Sequence, residues 1–225
     1  MGGCCTGRNV NEVILDDFFN NMKLTEECTT DMSELLDSQI DGQGNFYKGI
    51  VENFLKSFCE NHLAKENEKV NVEHKNYFEY LYKTALNQKK FFELASLIIL
   101  LSKCEDEKVD GYSDSILKLA GKFKIQIKDG KEMLRNNVES IIDFYISAVS
   151  TNAVVFAKSF SSNPHEFYTT FTKIFNEENV LNLRKELMNG WEKETFILSD
   201  FIRSNYSRLN HSHIRQHMID NSKVK

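Results

Sequence analysis

The residues best suited to covalent chemistry stand at the start of the sequence, in the run Met1-Gly2-Gly3-Cys4-Cys5-Thr6. A glycine after the initiator methionine, with a hydroxyl residue four positions later, is the pattern of N-myristoylation. Gly2 is therefore the predicted acceptor of a myristoyl chain. The thiols of Cys4 and Cys5 are predicted sites of palmitoylation, because an acyl transferase on a membrane meets the cysteines nearest an existing anchor.

A single myristoyl chain binds a membrane only marginally, so stable anchoring needs a second signal. Charge does not supply it, because the segment 9–41 is acidic, with Lys23 as its one base, and the cytoplasmic leaflet repels it. Acylation of Cys4 and Cys5 is the remaining candidate. We therefore expect a membrane surface as partner, on the cytoplasmic face of a cell or ciliary membrane. The alternative is that Gly2 and the cysteines occur here by chance.

Two other groups of side chains have the spacing of a metal site or a catalytic pair, but a non-functional interpretation is preferred for each. His213 and His217 stand four residues apart, the spacing of zinc ligands on a helix, but no third ligand is evident and a solvated basic tail is preferred. Cys59 and His62 would meet on a helix as nucleophile and base, a spacing that chance also produces. We predict no catalytic residue and no cofactor, and a protein that is not an enzyme.

Composition narrows the class of protein. Hydrophobic residues make up 41% of the 225 residues, enough for a core, and one proline and ten glycines favour an all-helical chain. The net charge of −5 disfavours a nucleic-acid-binding protein, which would carry an excess of basic residues. The five cysteines are odd in number and form no metal pattern, and no signal peptide is evident, so a reducing cytosolic setting is expected.

Hydrophobic periodicity predicts helices along the chain, the first an amphipathic helix at 11–23, and no convincing strand. Pro164 is predicted to lie in the first turn of a helix. The predicted fold class is therefore all-α, an irregular multi-helix array, with the apolar run 91–103 at the centre of the core and turns at Asp41-Gly42 and Asp129-Gly130. His74, beside a polar segment, is expected to face solvent.

The predicted organisation is a leader, 1–10, an N-terminal helical lobe, 11–105, a C-terminal helical lobe, 106–210, and a flexible basic tail, 211–225. The sequence does not determine an oligomeric state.

Helices separated by Asp-Gly loops resemble a family of known proteins. Residues 91–149 resemble the central half of an EF-hand calcium-sensor protein, such as calcineurin B or the neuronal calcium sensors. The run 91–103 resembles the exiting helix of a second hand, 113–123 the entering helix of a third, and 124–134 its loop. The run 195–201 resembles the opening of a fourth exiting helix. The resemblance implies paired hands, and myristoylation of Gly2 is common in that superfamily.

The loops lack the ligands that calcium needs, which are oxygens at positions 1, 3, 5 and 9, glycine at 6 and a bidentate glutamate at 12. Aligned on Asp41-Gly42, the first loop has Asp37 at position 1 and Asn45 at position 9, but Lys48 at position 12. Loops aligned on Asp110-Gly111 and Asp129-Gly130 lack the closing glutamate as well. The hands implied by the resemblance are thus degenerate. Asp37, Asp41 and Asn45 are the candidates for residual metal binding.

These features favour a non-enzymatic, membrane-anchored adaptor or scaffold. By the resemblance it would bind a partner protein or a peptide helix, the usual way in which EF-hand proteins bind targets. Two alternatives remain open. The first is a structural subunit of a cytoskeletal or ciliary assembly, in which the acidic N-terminal segment docks on a basic partner. The second is a calcium-binding sensor protein, which requires ligands that the loops do not supply.

Overall fold

The computed structural model describes residues 10–20, 29–38, 40–43, 68–102 and 109–222. Helices make up most of them, which confirms the predicted all-α, irregular multi-helix array. The α-helices are α1 Val10–Asn20, α2 Thr29–Ser38, α3 Glu68–Gln88, α4 Phe91–Leu101, α5 Asp110–Lys122, α6 Arg135–Ser147, α7 Ala153–Ala157, α8 Pro164–Ile174, α9 Glu177–Leu187, α10 Leu198–Asn205 and α11 His211–Ser222. A π-helical turn, Ala148–Asn152, joins α6 to α7, and a 3-10 turn, Lys158–Phe160, follows α7.

Helix α4 lies at the centre of the core, as its apolar run predicts. Its buried apolar residues are Phe92, Leu94, Ala95, Leu97, Ile98, Ile99 and Leu101. Helices α2, α3, α5 and α6 pack around them. Full burial of a leucine or isoleucine side chain contributes roughly 1.5–3 kcal/mol, so α4 is a main source of stability. The core cluster includes side chains from both predicted lobes, 11–105 and 106–210, which therefore share one core.

Two helix–loop–helix units contact each other in the second half of the chain. The first unit is α5, the hairpin of β1 Ile127–Lys128 and β2 Glu132–Leu134, and α6; the second is α9, β3 Thr195–Ile197 and α10. Strand β2 pairs antiparallel with both β1 and β3. Helix α9 packs on α6, and α10 packs on α5. The prediction of no strand is wrong for these segments, because ladders of two or three residues are too short to produce a recognisable alternation.

Two local sequence signals are confirmed. Asp129 and Gly130 turn the β1–β2 hairpin with φ angles of 51° and 71°, a left-handed conformation that glycine adopts without steric cost and aspartate tolerates. At the start of α8, the side chain of Asn163 accepts a hydrogen bond from the Glu166 N–H, and Pro164 occupies the first turn.

The C-terminal segment forms a packed helix where a flexible basic tail, 211–225, was expected. Helix α11 packs on the π-helical turn and on α8, and it buries Ile214, Met218 and Ile219 along one face. The expectation is wrong for 211–222, because the histidine-rich composition conceals this apolar stripe at helical spacing. Arg215, expected to be solvated, is also buried.

Among the described residues, one helical stretch, Arg135–Phe160, is long and apolar enough to cross a membrane by length and composition alone. Of its most apolar 18-residue window, a share of 61% is buried inside the protein. The core helix of a soluble protein passes the same test, so the stretch is weak evidence for a membrane span. In this fold the stretch comprises α6, the π-helical turn and α7, whose buried residues belong to the core.

Candidate functional site

The predicted acylation sites, Gly2, Cys4 and Cys5, lie outside the described residues. Helix α1 is the first described element after them, so it connects the predicted lipid-bearing leader to the core. This helix is amphipathic, as predicted, and its apolar residues dock against the protein. Leu15, Phe18 and Phe19 are 1%, 2% and 1% exposed. Their i, i+3, i+4 spacing places them on one face of α1.

A buried ion pair joins α1 to α11. The Nη2 of Arg215 donates to Oδ1 of Asp16, which also accepts a hydrogen bond from Ser212 Oγ at 3.0 Å. The side chain of Arg215 is 3% exposed, and that of Asp16 is 19% exposed. Burial lowers the pKa of the Arg215 guanidinium, and the Asp16 carboxylate opposes that shift. Because removing either partner strands a desolvated charge, the pair fixes the position of α1 against α11.

His74 holds α1 from the side of α3. Its Nε2 lies 2.7 Å from the carbonyl oxygen of Phe18, so this nitrogen is the protonated one and donates a hydrogen bond to that oxygen. Phe18 is in the last turn of α1, where helix carbonyls need partners from outside the helix. Burial lowers the pKa of His74 to about 4, and the hydrogen bond opposes that shift.

The prediction that His74 faces solvent is wrong. The polar segment before it begins α3 at Glu68, so His74 lies within a helix and not beside a loop. Tyr77 and Leu81, at i+3 and i+7, share its buried face. The helical register therefore carries the histidine into the core.

His211 completes the site from α11. Its ring stacks on Phe19 with the centroids 5.1 Å apart, and the Arg215 guanidinium lies 4.9 Å from the centre of the same phenyl ring. Arg215 Nη2 is 3.2 Å from Nδ1 of His211, which accepts. Burial lowers the pKa of His211 to about 3, and Arg215 adds to that shift. We call the surface that receives α1 the α1 groove; it is formed by His74, Tyr77, Phe160, His211 and Arg215.

The first candidate metal loop has protein partners for both of its described carboxylates. The ammonium of Lys122 lies 3.3 Å from Oδ1 of Asp37, at the end of α2. Oδ1 of Asp41 accepts the N–H of Gln43 at 2.8 Å in a local Asx turn. Asn45 lies outside the described residues. Within the described ranges, no three His, Cys, Asp or Glu side chains are placed to hold a metal ion.

The loop aligned on Asp129-Gly130 lacks most of the side-chain oxygens that a calcium site needs, with Ile125 at position 1, Ile127 at position 3 and Asn136 at position 12. The loop between α5 and α6 contains lysines at 124, 128 and 131. Its Glu132 accepts a hydrogen bond from Thr195 Oγ1 at 2.8 Å, which joins β2 to β3. The alignment on Asp110-Gly111 is wrong, because these residues form the first turn of α5. There Asp110 pairs with Arg203 of α10 at 2.7 Å.

A cleft of about 700 Å³, which the sequence did not indicate, is lined by residues of α3, α6, α8, α9 and the π-helical turn. Tyr80 and Leu181 line it and are 42% and 38% exposed. Desolvation raises the pKa of Asp143 in this cleft, and Arg184, which donates to it at 2.8 Å, opposes that shift. The volume lies within the size range of small-molecule sites in proteins, and π-helical turns are frequent at functional sites.

The predicted histidine pair, His213 and His217, is not brought together as a chemical site. His213 Nδ1 contacts the carbonyl oxygen of Ser207, whereas His217 Nε2 lies 2.8 Å from Glu186 Oε2. These two histidines therefore have separate partners. Cys59 and His62 lie outside the described residues.

Sequence reasoning missed the residues of the α1 groove. No local pattern distinguishes Asp16 from its exposed neighbour Asp17, because both stand beside the apolar residues of α1, so Asp16 carries no signal of its own. Its partner, Arg215, lies 199 residues further along the chain, a distance that no local pattern bridges. Comparison with known proteins adds no relative: no family model, no curated protein and no solved structure matches this chain.

Proposed function

We propose that this chain is a non-enzymatic helical adaptor, anchored on the cytoplasmic face of a membrane by acyl chains on Gly2, Cys4 and Cys5. Its two helix–loop–helix units would be a pair of degenerate EF-hands, held together without a divalent ion. In this role the chain binds a partner protein or a peptide helix. The observation that carries the proposal is the antiparallel joint between β2 and β3.

The position of that joint supports the paired-hand arrangement. The EF-hand resemblance places one loop at 124–134 and the start of another exiting helix at 195–201. Strands β2 and β3 pair at the ends of these two loops, with Met133 opposite Phe196. The helices on either side pack in pairs across the joint, α5 with α10 and α6 with α9. An arrangement in which two loops meet in one small sheet is what a pair of hands requires.

The contacts at the joint account for its stability without calcium. Trp191, Phe196 and Phe201 form an aromatic cluster with ring centroids 5.1–5.5 Å apart. Met133 is fully buried opposite this cluster. Aromatic pairs at such distances contribute about 0.5–1.5 kcal/mol each beyond the area that they bury. Packing therefore replaces the ion that loops rich in lysine would repel.

The contacts of α1 give the anchor a mechanical connection to this pair. An acyl chain on the leader tethers the whole chain covalently, and attachment of the first helix to the core limits how far the core can lie from that anchor. Asp16 and the Phe18 carbonyl provide that attachment through Arg215 and His74. A partner held by the helical units is then kept near the membrane surface.

Fractionation of cells that express the full chain tests the anchoring. We expect the wild type in the membrane fraction and Gly2→Ala in the soluble fraction, because alanine at this position cannot accept the myristoyl chain. Replacing Cys4→Ser and Cys5→Ser together is expected to leave binding that washing removes, because one acyl chain binds only reversibly. The matched control is Gly3→Ala, which changes the neighbouring glycine and leaves the acceptor intact.

A wild-type chain that stays soluble in cells able to acylate it contradicts the anchoring. In that case the assembly alternative is favoured, in which the acidic N-terminal segment docks on a basic partner of a cytoskeletal or ciliary complex. Equal loss from the membrane in Gly2→Ala and Gly3→Ala would also contradict the proposal, since the effect would then not depend on the acceptor glycine.

A further inference from the structure

We propose that the cleft of about 700 Å³ binds a primary ammonium group carried on an apolar stem, with the carboxylate of Asp143 as the group that holds the ammonium. A ligand of this class is either a small free amine or the lysine side chain of a bound protein. The inference goes beyond the adaptor role proposed above, because it assigns a ligand to a cleft that this role does not use.

The charges of the cleft favour a cationic ligand over an anionic one. Of the described residues that line it, Asp143 and Glu177 are acidic and Lys90 alone is basic. Nη1 of Arg184 donates to Oδ2 of Asp143 at 2.8 Å, and among the described residues Oδ1 accepts no hydrogen bond. An anion would therefore meet two carboxylates, whereas an ammonium can donate to the remaining oxygen of Asp143.

The surroundings of Asp143 do not fully compensate its charge. Desolvation raises the pKa of Asp143, and Arg184 and Lys90 oppose that shift without cancelling it. The two neighbouring cations thus return less than the lost hydration. A further cation in contact with this carboxylate stabilises its charged form, so the folded chain favours such a ligand.

Three uncharged polar side chains offer acceptors for the other protons of an ammonium. Thr84, Ser147 and Asn152 line the same cleft, and within the described part of the chain their side chains make no hydrogen bond. Ser147 precedes the π-helical turn and Asn152 ends it. A primary ammonium has three N–H donors and no acceptor. A carboxylate together with hydroxyl and amide oxygens supplies what those donors need.

The apolar residues of the cleft suit the stem of the ligand. Phe144 and Phe175 are buried, whereas Tyr80 of α3 and Leu181 of α9 are 42% and 38% exposed. A stem that covers Tyr80 and Leu181 removes apolar surface from water. The ring face of Tyr80 also attracts a cation that passes over it.

An NMR titration of the purified, ¹⁵N-labelled full chain with three probes of equal length tests the proposal. The probes are hexylammonium, 1-hexanol and hexanoate, which differ in the head group. We expect saturable shifts of the Ser147 and Asn152 amides, with hexylammonium binding about tenfold more tightly than hexanol, because a hydrogen bond to a charged group is the stronger one. Hexanoate should bind more weakly than either.

Asp143→Asn is expected to abolish the preference for hexylammonium over hexanol. The matched control is Asp114→Asn, which removes an exposed carboxylate of α5 outside the cleft and should leave the preference unchanged. Equal affinity for hexylammonium and hexanol in the wild type would overturn the proposal. So would an undiminished preference in Asp143→Asn.

Leu181→Lys tests the same site without breaking the pair of Asp143 and Arg184. It places a competing ammonium on the wall of the cleft, so hexylammonium should bind about tenfold more weakly. Leu86→Lys changes a leucine of similar exposure outside the cleft and should bind as the wild type does. Equal binding by these two variants would contradict the assignment.

A fourth probe, Nα-acetyl-lysine methylamide, distinguishes the two sources of the ammonium. Tighter binding than that of hexylammonium assigns the cleft to the lysine of a bound protein, and weaker binding assigns it to a free amine. None of these titrations depends on acylation or on a partner protein. Failure here is therefore distinguishable from failure of the anchored adaptor.

Discussion

Lowering the pH from 7 to 4 is expected to reduce the free energy of unfolding by roughly 3 kcal/mol for each of His74 and His211. Burial holds the pKa of His74 at about 4 and that of His211 at about 3, against 6.5 for the ordinary side chain. Between these values the unfolded chain binds more protons than the folded chain. The stabilisation is therefore complete above pH 6.5 and is lost as the pH falls towards the folded pKa values.

Denaturant unfolding at several pH values measures this loss. His74→Gln and His211→Gln should each reduce the dependence of stability on pH, whereas His165→Gln, at an exposed position, should leave it unchanged. Because both buried rings face α1, the amides of α1 are expected to lose hydrogen-exchange protection first. The same pH dependence in all three variants would show that other groups cause the loss of stability at low pH.

Replacing Phe201→Ala is expected to destabilise the protein by about 3–5 kcal/mol, the usual cost of removing a buried phenylalanine side chain. Phe201 is 1% exposed, and its ring contacts Trp191 and Phe196 with centroids 5.5 Å apart. The substitution thus opens a cavity under the joint between β2 and β3. Trp191 is the single tryptophan of the chain, so its fluorescence reports unfolding at this place.

The matched control is Tyr206→Ala, which removes an aromatic ring just beyond the end of the same helix. Tyr206 is 46% exposed, so its loss should cost less than about 1 kcal/mol. Urea denaturation followed by tryptophan fluorescence compares the two variants. Similar costs for both would mean that the aromatic cluster does not support the joint.

Local patterns in the sequence were sufficient for the elements that local interactions determine. The apolar run 91–103 predicted the buried helix α4, and Pro164 after Asn163 predicted the start of α8. The Asp129-Gly130 pair predicted the hairpin turn, because the left-handed backbone conformation of the turn involves those two residues alone. In each case the physical cause lies within a few residues, so a sequence displays it directly.

The candidate site could not be predicted in the same way, because its parts come from distant segments. His74 and Arg215 are polar residue types that are usually exposed, and each is buried in contact with α1, which is distant in sequence. The strands were missed for a related reason: β3 pairs with β2 some sixty residues earlier, and a three-residue ladder leaves no periodicity. Burial of a polar group is thus a tertiary property, visible once the partner's position is known.

Titration calorimetry of the purified full chain with calcium tests the proposal that packing and hydrogen bonds pair the two helix–loop–helix units without a divalent ion. We expect no heat of binding up to about millimolar calcium and no change in Tm. Lysines 124, 128 and 131 occupy one loop, and Lys122 neutralises Asp37 beside another. A saturable heat with a Kd in the range of about 10⁻⁷–10⁻⁵ M, typical of calcium sensors, would contradict it.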